Sequence, residues 1–258
     1  MGAIVPLESS DSSVSVDRPR LRLLHTSDVH IGDEFCPEKR LAGLTAVVDA
    51  ALANKVDALL VVGDLFDSSR VEGPDVEAAL EQLARLTIPT IVTTGNHDCL
   101  DETSIYHRVA LSAAGSHLHF LDEPEGRHLV LGDLGLSVWA RALVEHHPEH
   151  RPLAGYQPAG DGRWQVVLAH GHYLGEGGDF MRSSPIHPDE IAALGCHYLA
   201  LGHWHRHLDV SKAGVPAFYC GSPSEPGGSY ASTNLVTLDP LAGVQVDRIA
   251  MELPAGVR

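Results

Sequence analysis

The sequence predicts an α/β fold, two β-sheets packed as a sandwich and flanked by helices. Three observations carry that reading: strand and helix patterns alternate through the first half, the second half is rich in short strand patterns, and apolar runs repeatedly end in Asp, Asn or His. At 258 residues, with 44% hydrophobic and 20% charged side chains, the chain can bury a sizeable core without covalent staples. The domain is placed at 21–258. Residues 1–20 hold five serines and no apolar stretch of the secretory kind, and read as a disordered leader.

In order along the chain, Leu21 to Leu24 is a short buried strand. Leu41, Leu44, Val48 and Leu52 then follow the three-to-four spacing of an amphipathic helix. A second strand spans 58–62 and stops at Gly63. Pro74 and Asp75 open a second helix with Val76, Leu80 and Leu83 on one side. A third strand at 88–93 stops before Gly95. Continuous apolar strands joined by helices imply a parallel sheet covered on both faces. Beyond it, 128–131 and 136–140 form a hairpin around Gly132, Asp133 and Gly135, and 141–163 is a Pro-, Gly- and His-rich loop. A strand at 164–169, a Gly- and Pro-rich stretch at 175–188, a brief helix at 188–194 and a strand at 198–201 follow. Short strands near 217–220, 235–238 and 244–249 are expected to complete the second sheet.

Several function classes recede on composition alone. Eighteen Lys and Arg against 34 Asp and Glu give a net charge of −16, which lacks the basic balance of a nucleic-acid binder. The sequence has no apolar run long enough to span a membrane, and Cys36, Cys99, Cys196 and Cys220 form no paired motif, so a reducing cytoplasm is the expectation.

The chemistry gathers at strand ends, where open α/β sheets bind ligands. Asp28 and His30, two apart on an extended segment, share a face, and His203 and His205 repeat that geometry. Asp64 follows Gly63 in a turn, Asn96 and His97 follow Gly95, and His170 and His172 flank Gly171. These mixed oxygen and nitrogen donors suit two divalent ions of the Mn, Fe or Zn kind. Two ions about 3.5–4 Å apart polarise phosphoryl oxygens, activate a water and stabilise an in-line displacement. Each motif has a bland reading, a turn or a pair of surface histidines; five of them in series after apolar strands do not.

The series DVH, GDLFD, GNHD, HGH and GHWH resembles the calcineurin-like metallophosphoesterases over about residues 21–225. The stretches LLHTSDVHIGDEF, VVGDLFDSS, IPTIVTTGNHD, YLALGHWHR and YCGSPSEP are similar to SbcD-type DNA repair exonucleases. The resemblance implies the metallophosphoesterase αββα fold and a phosphoester substrate. It implies that Asp28, His30 and His205 hold one ion, that Asp64 bridges to the second, and that Asn96, His170 and His203 complete the second ion's shell. Manganese is the favoured metal. A metal-bound hydroxide would attack phosphorus, His97 would protonate the leaving alkoxide, and Asp98 would orient His97 through a hydrogen bond. His170 and His172 both follow the strand; His170, directly at its end, is the preferred ligand, and His172 is a pocket contact. Asp67 and Arg70 read equally as pocket rim or solvated turn, and Tyr173, Phe180 and Arg182 as a loop over the site. Cys36 and Cys99 read as idle or buried thiols.

The resemblance also departs from the exonuclease pattern. SbcD-type nucleases carry a DNA-capping domain and a C-terminal segment for a coiled-coil ATPase partner, and the sequence after His205 leaves little room for either. Core chemistry therefore carries over while DNA as substrate does not follow. A small phosphodiester or phosphomonoester is the leading substrate, a minimal DNA nuclease is the alternative, and a non-catalytic scaffold is a third reading.

Overall fold

Strands buried on both faces need apolar side chains at successive positions, and the runs read as strands meet that demand. The computed structural model describes residues 18–175, 182–224 and 230–253. Its elements begin with β1 (Leu21–Thr26), α1 (Pro37–Asn54), β2 (Ala58–Val62), α2 (Gly73–Leu83), β3 (Thr90–Thr93) and β4 (Leu118–Leu121). Next come β5 (Arg127–Leu131), β6 (Leu136–Ala140), β7 (Trp164–His170), β8 (His172–Tyr173), β9 (Pro185–Ile186) and α3 (Pro188–Ala193). The chain closes with β10 (Tyr198–Gly202), β11 (His207–Asp209), β12 (Ala217–Cys220), β13 (Ser232–Asp239) and β14 (Gly243–Ala250).

Two six-stranded mixed sheets result, one ordered β14-β13-β1-β2-β3-β4 and the other β11-β12-β10-β7-β6-β5, while β8 and β9 form a small pair. Within the first sheet β1 to β4 run parallel; within the second β6, β7, β10 and β12 do. Alternate residues sort these strands into three apolar layers, as a period of two requires. Leu24, Leu59 and Val61 face α1 and α2, whereas Leu23, Leu60 and Val62 face the second sheet. Val166 and Leu168 meet them from β7, and Val167 and Ala169 point the other way, onto α3 and the long loops. The fold is thus the expected sandwich flanked by helices.

Three features differ from the sequence reading. The first sheet is not purely parallel: β13 and β14 add to it in antiparallel fashion, so the chain after His205 does not simply complete the second sheet. Without β13, β1 would present an unpaired edge, and β13 is buried along nearly its whole length, as befits an interior strand. Second, β4 had no expectation; its four residues, Leu-His-Phe-Leu, give no clear period. Third, the buried face of α1 centres on Leu44, Val47, Val48 and Ala51, and Leu52 is 48% exposed. The hairpin of β5 and β6 forms as expected, turning through a short 3-10 segment at Gly132–Leu134. The leader lies outside the described residues except for its last three positions. No helix among the described residues is long and apolar enough to cross a membrane.

Leu60 sits at the centre of β2, fully buried between the sheets. Leu60→Ala is expected to lower unfolding free energy by about 2–5 kcal/mol, the cost of a methylene-depleted cavity. Leu241→Ala, at a side chain 97% exposed, should stay within about 0.5 kcal/mol of the parent. Urea melts of both variants check this; equal loss in the two would remove the intersheet layer as the principal core.

Candidate metal centre

The carboxyl ends of β1, β2, β3, β7 and β10 meet where the two sheets press together, and each delivers one motif. Gly202 shows how close the approach is: a Cβ there would lie 2.1 Å from the Val62 carbonyl of the opposite sheet and 2.7 Å from Nδ1 of His170. A Cβ on Gly95 would lie 2.2 Å from Oδ1 of Asp64. Glycine before Asn96 and His203 is therefore a steric requirement of the site.

The backbone itself is unusual here. Asp28, His30, Asp64 and His203 have φ of 55°, 58°, 53° and 105°, four of the seven non-glycine residues with positive φ among the described residues. Such conformations cost energy and persist where surrounding contacts over-determine them. Those contacts are present: the Val29 and His30 amides donate to the Asp64 carbonyl at 2.8 and 3.0 Å, locking the loops after β1 and β2 together.

Side chains converge accordingly. Three sets of donor atoms each lie within 4.8 Å of one another: Asp28, His30 and His205; His30, Asp64 and His97; and Asp28, Asp64 and His170. Nε2 of His30 and Nε2 of His205 are 3.2 Å apart, and Nε2 of His205 is 3.6 Å from Oδ1 of Asp28. Nε2 of His170 lies 3.3 Å from Oδ2 of Asp64 and 3.0 Å from Oδ1 of Asn96, which also lies 2.8 Å from Nδ1 of His203. The structure thus gathers all seven ligand candidates. It brings His170, and not His172, to Asp64; the ring of His172 lies edge-on to His203 and tilted against Trp204, at 5.6 and 5.3 Å.

The donor set fits divalent ions, and the hydrogen bonds behind it are the reason. The far ring nitrogen of His30 donates to Oδ1 of Asp67 at 2.9 Å, and that of His170 donates to the Val62 carbonyl at 2.9 Å. Both rings are held in one orientation with Nε2 turned to the carboxylates, as metal-ligating imidazoles are. Asp28 and Asp64 are 0% and 2% exposed, and carboxylates so buried demand positive charge. Burial alone would lower His170, but the Asp64 carboxylate outweighs it and pushes the imidazole up to about 10. Burial would likewise raise Asp64, yet His170, with His30 and His97, holds its carboxyl below the usual range. His203 is pulled the other way, down to about 3, by burial and the charge of His170.

Asp98 does not hydrogen-bond to the ring of His97, contrary to expectation. Its buried carboxylate accepts from the amides of Gly95 (2.7 Å), Leu65 (2.9 Å), Asp64 (3.2 Å) and Phe66 (3.3 Å), and from the Tyr106 hydroxyl (2.7 Å). Four convergent amides leave no lone pair aimed at the imidazole; Asp98 shapes the Asp64 turn instead. The His97 ring is held by Asp67, whose carbonyl accepts from Nδ1 at 2.9 Å. Asp67 is therefore no solvated turn residue, and its signal was the spacing of three from Asp64 within GDLFD.

Other residues escaped notice. His146 brings its ring to 6.4 Å from that of His203, from a loop whose composition suggested histidine chemistry without a spacing to locate it. Ser27 donates to the Asp28 carboxylate and the Ser222 hydroxyl donates to the Asp28 carbonyl. Tyr173 packs against the outer apolar layer, and Phe180 lies outside the described residues. Cys99 is partly buried, and burial pushes its thiol up to about 11, far from a reactive thiolate. Arg70 lines a cavity of about 500 Å³ with Asn96 and His97.

Gly95→Ala is expected to lower divalent-metal content strongly with the fold retained, because the new methyl displaces the Asp64 carboxylate. Metal analysis beside circular dichroism checks it; full occupancy in a folded variant would remove the steric argument.

Comparison with known proteins agrees with this geometry. The family model described as calcineurin-like phosphoesterase matches residues 21–207. An uncharacterized metallophosphoesterase, YhaO of Bacillus subtilis, is 28% identical over 228 residues, covering 78% of this chain and 53% of the relative. A subunit of the nuclease SbcCD of Escherichia coli K12 is 25% identical over 252 residues, covering 79% of this chain and 60% of the relative. The chain spans roughly half to three-fifths of the length of these relatives. Among solved structures, TT1561 of Thermus thermophilus superposes with a TM-score of 0.58 at 14% identity, covering 91% of this chain and 100% of that one. A dimetal phosphatase from Danio rerio gives 0.53 at 9% identity, with 90% and 99% covered; both share the fold. With its motifs at the strand ends and most of its length matched, this chain belongs to the calcineurin-like phosphoesterase family.

Proposed function

We propose that the chain is a two-metal phosphoesterase that hydrolyses a phosphodiester or phosphomonoester, with His97 as the proton donor to the leaving oxygen. The observation that supports this most is the position of Asp64, whose carboxylate lies 3.3 Å from His170 and 3.9 Å from His30 and accepts the His97 amide at 2.8 Å. One carboxylate thus touches both halves of the donor set and the acid candidate.

In this reading Asp28, His30 and His205 would hold one ion, Asn96, His170 and His203 would hold the other, and Asp64 would serve both. The mixed hard-oxygen and imidazole set suits Mn²⁺, with Fe or Zn as alternatives. Bound ions supply Lewis-acid polarisation of the phosphoryl oxygens and activation of a water. The chain's own groups do the rest. Asp67 fixes the His97 ring through Nδ1, and Nε2 is left to carry a proton at a side chain 44% exposed. Water oxygen bonds to phosphorus as the ester P–O bond breaks. The departing alkoxide takes the proton from Nε2, and the proton lost by water restores the imidazole or passes to solvent. His97 also falls in one donor set with His30 and Asp64, so metal content separates the acid role from a ligand role.

The test uses metal-stripped protein reconstituted with Mn²⁺ and two chromogenic substrates, bis(4-nitrophenyl) phosphate and 4-nitrophenyl phosphate. His97→Ala is expected to lower kcat by about 10²–10⁴ while retaining both ions. Unchanged turnover would remove the acid, and lost metal would make His97 a ligand. Asp64→Asn should lose metal and activity together; full occupancy of both ions would show that it is not the bridge.

A further inference from the structure

Arginine side chains in so acidic a protein generally find partners. Arg40 pairs with Asp33 at 2.8 Å and Arg151 with Glu190 at 2.8 Å, while Arg108 donates to the carbonyls of Ser69 and Val71. The side chains of Arg70, Arg182 and Arg206 have neither a hydrogen bond nor an ion pair among the described residues. All three line cavities that open on the ligand cluster. Arg70 borders the cavity of about 500 Å³ beside Asn96 and His97. Arg182 and Arg206 border a second, of about 350 Å³, beside His203 and His205. The two share no lining residue: the first is built by loops after β2 and β3 of one sheet, the second by loops after β7 and β10 of the other.

Arg206 is also held in place. Its guanidinium carbon lies 4.9 Å above the Tyr230 ring, a contact that restrains the fork and, among the described residues, leaves its N–H edge open to a ligand. A planar fork with no hydrogen-bond partner among the described residues, next to a phosphoester site, matches the bidentate geometry of a phosphate. Cations on both flanks answer negative charge on both sides of the scissile phosphorus, which a lone monoester does not carry.

We propose that Arg206 with Arg182 on one flank, and Arg70 on the other, form anion subsites for phosphates next to the scissile one. The preferred substrate is then a phosphoester that carries at least one further phosphate. This rests on the phosphoesterase reading above. The shared chemistry, a second phosphate within the same molecule, belongs both to short 5′-phosphorylated oligonucleotides and to dinucleoside oligophosphates.

The test compares kcat/KM of the Mn²⁺-loaded chain for the dinucleotide TpT, its 5′-phosphorylated form pTpT, diadenosine tetraphosphate and bis(4-nitrophenyl) phosphate. The substrates with an added phosphate are expected to exceed TpT by about tenfold or more, the scale of one charge-assisted contact. Which of pTpT and diadenosine tetraphosphate gains more identifies the source. The gain should shrink toward unity in Arg206→Gln and return in part in Arg206→Lys. Equal kcat/KM for TpT, pTpT and diadenosine tetraphosphate, with the chromogenic diester still turned over, would overturn the subsites and leave the phosphoesterase reading intact. No turnover of any ester would sink that reading instead. The subsites are then decided by tripolyphosphate affinity: about tenfold weaker binding in Arg206→Gln supports them, and unchanged affinity overturns them.

Discussion

Two carboxylates buried between the ends of two sheets, Asp28 and Asp64, are the constraint around which the rest of this molecule is arranged. A carboxylate removed from water must be met by hydrogen-bond donors and positive charge. The chain supplies both from five separate strands. The Asp28 carboxylate accepts the His203 amide and the Ser27 hydroxyl, and the Asp64 carboxylate accepts the His97 amide and lies against His170. Ring nitrogens turn toward the same carboxylates, Nε2 of His170 and of His30 toward Asp64 and Nε2 of His205 toward Asp28. Satisfaction of the buried charge and assembly of the ligand set are one problem with one solution.

That solution depends on backbone the side chains would not choose alone. Left-handed conformations at Asp28, His30 and Asp64 aim three donors into one space, and the amide-to-carbonyl bonds between the loops after β1 and β2 hold them there. Asp98 belongs to this framework. By gathering four amides and the Tyr106 hydroxyl, it fixes the Asp64 turn from beneath. Burial and the neighbouring Asp64 charge raise its carboxyl, and the donated hydrogen bonds work against that rise. Rigid support of this kind is what keeps a catalytic constellation within a narrow geometry.

Much of this was legible in the sequence because the period of two and the strand-end motifs are local signals. β2 was readable from five consecutive apolar residues, and Asp64 from the glycine that follows them. What was not legible is what depends on distant pairing. The placement of β13 against β1 joins residues about two hundred positions apart, and no spacing announces it. β4 was missed because Leu118–Leu121 mixes His and Phe in a run too short to show a period. The error over Asp98 has the same origin. Adjacency to His97 suggested a partnership, whereas the turn after β3 points successive side chains in different directions. Asp67, thirty positions away, reaches the imidazole instead.

In the proposed reading Asp64 would join two metal sites into one centre. Electron paramagnetic resonance of the chain titrated with Mn²⁺ addresses it directly, because two ions sharing a carboxylate are exchange-coupled. Two ions bound per chain are expected, with a broadened, multi-line spectrum at saturation that replaces the six lines of isolated Mn²⁺. A six-line spectrum that persists at saturation, with one ion per chain, would contradict it.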